Sequence, residues 1–193
     1  MVNCGNTIHV LLIEDSRADA FLVTDILESL DLCVRVTRAR DGAQAIDMLL
    51  KDDGRSQQPL PDLVILDLNL PRVHGFEVLS RMKASDYLRK TPVVVVTGSL
   101  NKDDEVRARN MGVMDYLLKP SGGEEYDTFS HWFKRELTKM SARRERSDDK
   151  GRENALVGGS LGRWPSTPSM YSGTKLIPQL CYSDASWVNR YQG

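Results

Sequence analysis

Five short apolar runs are spaced along the chain: residues 8–13 (IHVLLI), 32–39 (LCVRVTRA), 63–68 (LVILDL), 93–98 (VVVVTG) and 113–118 (VMDYLL). Between them, apolar residues return every three or four positions, the period of a helix with one buried face. Ala20, Val23, Ile26, Leu27 and Leu30 make the first such stripe, behind Ser16 or Asp15 as its cap. Ala43–Leu50 follows the Asp41-Gly42 turn, and Phe76, Leu79 and Met82 make a third stripe. Residues 103–110 read as a short polar helix, and 123–140 as a last helix with Phe129, Phe133, Leu137 and Met140 on its apolar face. Residues 52–61 and 71–75 read as loops.

Strands thus alternate with helices five times, and the runs at 63–68 and 93–98 are apolar on both faces. Strands buried on both faces imply a parallel sheet with helices above and below it. The pattern predicts a doubly wound, five-stranded α/β domain over residues 8–140, preceded by an arm at 1–7. Its ligand should lie beyond the C-terminal ends of the strands, where strand order reverses. Past Met140 the pattern stops. Residues 143–153 are a mixed-charge run, read as a solvated helix extension or a linker. In 154–193 only Arg163, Lys175, Asp184 and Arg190 are charged, while five Gly, three Pro and six Ser leave no sustained period. The stretch 141–193 is expected to be a charged linker and a disordered tail.

Composition narrows the function classes. The chain has 193 residues, with 27 acidic against 26 basic side chains. That balance argues against nucleic-acid or membrane-surface binding through bulk charge. Cys4, Cys33 and Cys181 form no CxxC pair, so neither a disulfide framework nor a zinc site is expected. No apolar run approaches a membrane span and no signal peptide is evident, so the expected location is the cytoplasm.

The chemistry sits at the strand ends. The first strand ends in Glu14-Asp15, the third in Asp67, the fourth in Thr97 and the fifth in Lys119-Pro120. In a doubly wound sheet these ends converge on one edge, so three carboxylates, a hydroxyl and an ammonium should share a crevice. Three packed acids repel unless a cation joins them, and hard oxygen ligands suit Mg²⁺. Lys119 and Thr97 could then cradle a phosphoryl group on Asp67, because phosphoryl transfer needs mainly positioning and charge neutralisation.

The motifs IEDS at 13–16, DLNLP at 67–71, TGS at 97–99 and YLLKP at 116–120 resemble those of response regulator receiver domains, the CheY-like family. The intervals of 30 residues from Asp67 to Thr97 and 22 from Thr97 to Lys119 match that pattern. The resemblance implies a flavodoxin-like fold, with Asp67 as phosphoacceptor. It implies Mg²⁺ on Asp15 and Asp67 directly, on Glu14 through water and on the Asn69 main-chain carbonyl. Thr97 and Lys119 would meet the phosphoryl group, Tyr116 would be the aromatic switch, and Lys119-Pro120 would be a cis peptide. The long 52–61 loop and DLNLPR look like single-domain regulators paired with phytochrome-type or other PAS/GAF-containing histidine kinases. The implied partners are such a kinase and a downstream protein, with homodimerisation left open.

The remaining residues have plainer roles. Tyr116 alone is a half-buried strand aromatic. His9, His74 and His131 share no ligand spacing and read as surface or packing residues. Trp132 and Phe133 read most simply as core packing, although Trp132 falls off the apolar stripe of its helix, which leaves a partner surface as its second reading. A transcriptional regulator with its DNA-binding output in the tail is the alternative, but 154–193 lacks the amphipathic helices and basic face that this needs. A phosphatase using an aspartyl intermediate would want an acid two residues after Asp67, and Asn69 is not one.

Overall fold

The computed structural model describes residues 7–50 and 60–157. Ten elements alternate: β1 (Ile8–Ile13), α1 (Arg17–Glu28), β2 (Val34–Ala39), α2 (Gly42–Leu50), β3 (Leu63–Leu66), α3 (Gly75–Ala84), β4 (Val93–Thr97), α4 (Lys102–Asn110), β5 (Asp115–Leu118) and α5 (Gly123–Val157). All strand pairs are parallel and the order is β2-β1-β3-β4-β5. From β1 the chain steps outward to β2 and then returns to the other side for β3. The reversal therefore lies between β1 and β3, and Val10 pairs with Val36 on one side and Leu63 on the other.

Period-two alternation divides the core between the two faces of the sheet. Leu11, Ile13, Val64, Leu66, Val93 and Val95 face α2, α3 and Ala108 of α4. Ile8, Val10, Leu12, Leu63, Ile65, Val94 and Val96 face α1 and α5, where Phe129, Phe133 and Leu137 are buried as the stripe predicts. Trp132 takes the core-packing role and not the partner surface. It is only 8% exposed, packs edge-on against Phe133, and donates its indole N–H to Asp115 Oδ2 at 2.8 Å. The buried arc of a core-facing helix is wide enough to take in position 132 once an acceptor awaits its N–H.

Helix α5 continues past Met140 to Val157, so the charged run takes the helix-extension form. Arg, Glu and Lys are good helix formers without a buried face, and Arg144 ties the extension back to the sheet. Its guanidinium donates to the Thr7 carbonyl at 2.6 Å and pairs with Asp62 at 2.9 Å. Residues 158–193, where most of the expected tail falls, lie outside the described residues. Cys33, just before β2, is disulfide-bonded, where the cysteine spacing suggested no disulfide framework. Cys4 and Cys181 lie outside the described residues. Among the described residues, no helix is long and apolar enough to cross a membrane.

Candidate functional site

The topology brings the ends of β1 and β3 side by side, and with them Glu14, Asp15 and Asp67. The ladder runs on past the strand, since the Asp67 amide donates to the Ile13 carbonyl at 3.0 Å. Glu14 and Asp67 are 2% and 4% exposed, whereas Asp15 is exposed. One carboxylate oxygen from each of the three lies within 4.8 Å of the others. Two buried acids and an exposed one, all hard oxygen donors, suit a divalent cation that keeps part of its water.

Lys119, one residue beyond β5, reaches into the same crevice. Its Nζ lies 2.8 Å from Glu14 Oε2, 2.8 Å from Asp67 Oδ2 and 2.7 Å from Asp19 Oδ2. The expected cis peptide is absent, because the Lys119-Pro120 bond is trans. Trans is the lower-energy isomer before proline, and here the side chain enters the pocket without the other. Burial alone would lower the Lys119 value, but the hydrogen bonds to Asp19, Asp67 and Glu14 outweigh it and hold the ammonium above its ordinary value. Burial pushes Glu14 above the ordinary glutamate value, against the opposing bond and charge of Lys119. Asp67 Oδ1 accepts from the Asn69 amide at 3.2 Å, which fixes the first turn of the exposed loop that carries the Asn69 carbonyl.

Thr97, at the end of β4, is fully buried, and its Oγ1 accepts from the Ser99 amide at 3.2 Å. Tyr116 is buried, and its hydroxyl donates to the Ser99 carbonyl at 3.3 Å. Burial, then the charges of Asp104 and Glu105, raise the Tyr116 value. Ser99 in turn donates its hydroxyl to Asp104 Oδ2 on α4 at 3.0 Å. Ser99 therefore links Thr97, Tyr116 and α4. The histidines stay clear of the pocket's hydrogen bonds: His9 pairs with Thr37, His74 caps α3 and His131 bonds the Asp127 carbonyl.

All the residues expected from the strand ends thus gather at one edge. Three participants were missed: Asp19, Ser99 and Arg38, which donates to the main-chain carbonyls of Glu14 at 3.0 Å and Asp15 at 2.9 Å. Asp19 had a signal, being four residues after Asp15 and so one helical turn along. Arg38 had only its place near the end of an edge strand.

The comparisons with known proteins agree with this architecture. Residues 10–128 match the model of the response regulator receiver domain. The probable methanogenesis regulatory protein FilR2 of Methanothrix harundinacea is 44% identical over 116 residues, which covers 60% of this chain and 74% of that protein. Response regulator Rcp1 of Synechocystis sp. is 39% identical over 110 residues, covering 57% of this chain and 75% of Rcp1. The Mn²⁺-bound structure of Rcp1 superposes with a TM-score of 0.60 at 34% identity, covering 65% of this chain and 91% of that one. The phosphorylated cyanobacterial phytochrome response regulator RcpA gives 0.59 at 31%, covering 66% and 89%. With the motifs in order, the sheet wound as expected and the family model spanning most of the domain, the chain belongs to the response regulator receiver family of two-component signalling.

Proposed function

We propose that Asp67 accepts a phosphoryl group from a sensor histidine kinase, and that the modified domain changes its surface to control a partner protein. The observation that carries this reading is the buried Asp67 carboxylate. It lies among two other acids within 4.8 Å and has an ammonium 2.8 Å from its Oδ2. In the step itself an Asp67 oxygen attacks phosphorus, the N–P bond of the phosphohistidine breaks, and the leaving imidazole takes up a proton. Glu14, Asp15, Asp67 and the Asn69 main-chain carbonyl would hold Mg²⁺, which supplies neutralisation of charge on the phosphoryl oxygens. Rcp1 is known in a Mn²⁺-bound form, which supports a divalent ion in a pocket of this kind.

Lys119 pairs with one phosphoryl oxygen and Thr97 donates its hydroxyl to another. Thr97 then gives up the Ser99 amide, and the Ser99 carbonyl that holds Tyr116 moves with it. Tyr116 is in that way the readout of the pocket. The chain acts as a phosphoacceptor with slow self-dephosphorylation, not as a metabolic enzyme. Similarity to RcpA and to the bacteriophytochrome response regulators RtBRR and AtBRR supports a phytochrome-type kinase, or another PAS/GAF-containing one, as donor. A receiver over residues 8–140, a cytoplasmic location and a homodimer fit this role. The alternative DNA-binding output would have to reside mostly in 158–193, outside the described residues.

Acetyl phosphate with Mg²⁺ tests the covalent step. Intact mass should rise by one phosphoryl group, and hydroxylamine should remove it, as it does from acyl phosphates. Asp67→Asn labelled at the wild-type level would show that the acceptor is another residue.

A further inference from the structure

Lys119 has one more carboxylate partner than the phosphoryl chemistry requires. Its three N–H donors are matched by Glu14, Asp67 and Asp19 at 2.7–2.8 Å. Glu14 and Asp67 belong to the triplet able to share a cation, and Asp19 does not. Nor is Asp19 occupied by helix capping. At a helix start of this pattern the acid three residues after the cap commonly reaches back to the cap's own N–H. Here Ser16 Oγ accepts from the Asp19 amide at 3.3 Å, but the Ser16 N–H goes to Glu14 Oε1 at 3.1 Å. The Asp19 carboxylate is thereby left to meet an ammonium 100 positions along the chain, with its side chain 38% exposed at the rim of the pocket.

A cation on the carboxylates of Glu14 and Asp67 repels an ammonium that sits 2.8 Å from both. The bonds of Lys119 to those two acids are then weakened, while the one to Asp19, outside the triplet, is not. We propose that Asp19 is a positioning residue that keeps Lys119 at the pocket wall while a divalent cation occupies Glu14, Asp15 and Asp67, presenting the ammonium to the incoming phosphoryl group. This rests on the reading of Asp67 as phosphoacceptor. Because Asp19 acts through Lys119, removing it raises the cost of cation binding only when the lysine is present. A carboxylate that merely adds negative charge would matter equally with or without the lysine.

The test is a double-mutant cycle on Mg²⁺ affinity, measured by calorimetric titration of the unphosphorylated full chain. Asp19→Asn should weaken Mg²⁺ binding about fivefold or more in the Lys119 background, and by no more than about twofold in the Lys119→Ala background. Asp19→Glu keeps the charge and should stay within about twofold of wild type. At saturating Mg²⁺, Asp19→Asn should also slow acetyl phosphate labelling, and again only where Lys119 is present. Thermal melts check that each variant folds, and Asp19→Ser replaces Asp19→Asn if the latter does not. Equal losses in the two backgrounds, or no loss in either, would overturn the role of Asp19. Failure of the wild type to take a hydroxylamine-labile label would instead sink the phosphoacceptor reading, with the Mg²⁺ cycle still readable by itself.

Discussion

Gly75→Ala should damage stability and site together, because the first residue of α3 lies directly against the main chain of Asp67 and Leu68. A Cβ at Gly75 would collide with the Asp67 carbonyl oxygen and stand 2.7 Å from Leu68 Cα. Both neighbours are backbone, so no side-chain rotation relieves the overlap. The Gly75 amide also donates to the Leu68 carbonyl at 2.9 Å, which fixes the approach. Overpacking of a tight contact costs about 1–3 kcal/mol, and the helix-propensity gain of alanine offsets at most ~1 kcal/mol of it. With backbone on both sides the upper part of that range applies, leaving a net loss of about 2 kcal/mol. For a chain of this size that lowers Tm by roughly 4–8 °C. The shift must be taken up by Asp67, Leu68 or α3, so Asp67 should lose its alignment with Glu14, and the affinity of the acidic pocket for a divalent cation should fall as well. Gly123→Ala is the control, because a Cβ there meets nothing within 4 Å. Calorimetric melting and Mg²⁺ titration of the two variants decide the matter. Equal Tm and equal affinity for Gly75→Ala and Gly123→Ala would refute the close-approach argument.

Two further outcomes follow from the charges. Glu14→Gln should raise the Tm of the metal-free protein near neutral pH. Burial raises the folded-state value of Glu14 above the ordinary 4.5, so its ionised form costs stability once the pH exceeds that raised value. The advantage of Gln should close as the pH falls to about 4.5, where Glu14 protonates itself, and a constant gap in melts across that range would contradict the sign. Asp115→Ala should cost about 1–3 kcal/mol in urea unfolding, since it strips acceptors from the buried Trp132 N–H and from Arg109. The Trp132 emission, isolated by subtracting a Trp132→Phe variant, should shift to the red; unchanged emission and stability would show that the indole needs no partner.

Most of the fold was legible because sheets impose a simple code. Runs such as LVILDL and VVVVTG can only be central strands in a covered sheet, and the stripe Phe129, Phe133, Leu137 and Met140 could only face it. Where the apolar stripe alone was ambiguous, a polar partner decided the outcome. Trp132 lies off the narrow stripe yet joins the core, because Asp115 at the start of the neighbouring edge strand accepts its N–H and burying it leaves no donor unsatisfied. The end of α5 was set too early for a related reason. Apolar periodicity reports burial, and beyond Met140 the helix is continued by propensity and by Arg144, whose anchors Thr7 and Asp62 are far off in sequence.

The site divides along the same line. Glu14, Asp15, Asp67, Thr97 and Lys119 were readable because each sits at or just past a strand end, and the winding of the sheet alone sends those ends to one edge. Asp19, Arg38 and Ser99 act through side-chain reach or through a main-chain carbonyl, which strand order does not dictate. Arg38 shows why they matter. Glu14 and Asp15 lie on the turn between β1 and α1, where no sheet ladder can hold their carbonyls, and the guanidinium of Arg38 takes both. Ser99 does the same for the turn after β4, with its amide on Thr97 and its carbonyl on Tyr116. The strand ends bring the carboxylates, the hydroxyl and the ammonium together, and these local bonds fix the turns on which they sit. The proposed switch would draw on that division, because the strands of the sheet are held by continuous ladders, whereas the Ser99 turn is tied to Thr97 and Tyr116 by two long single hydrogen bonds.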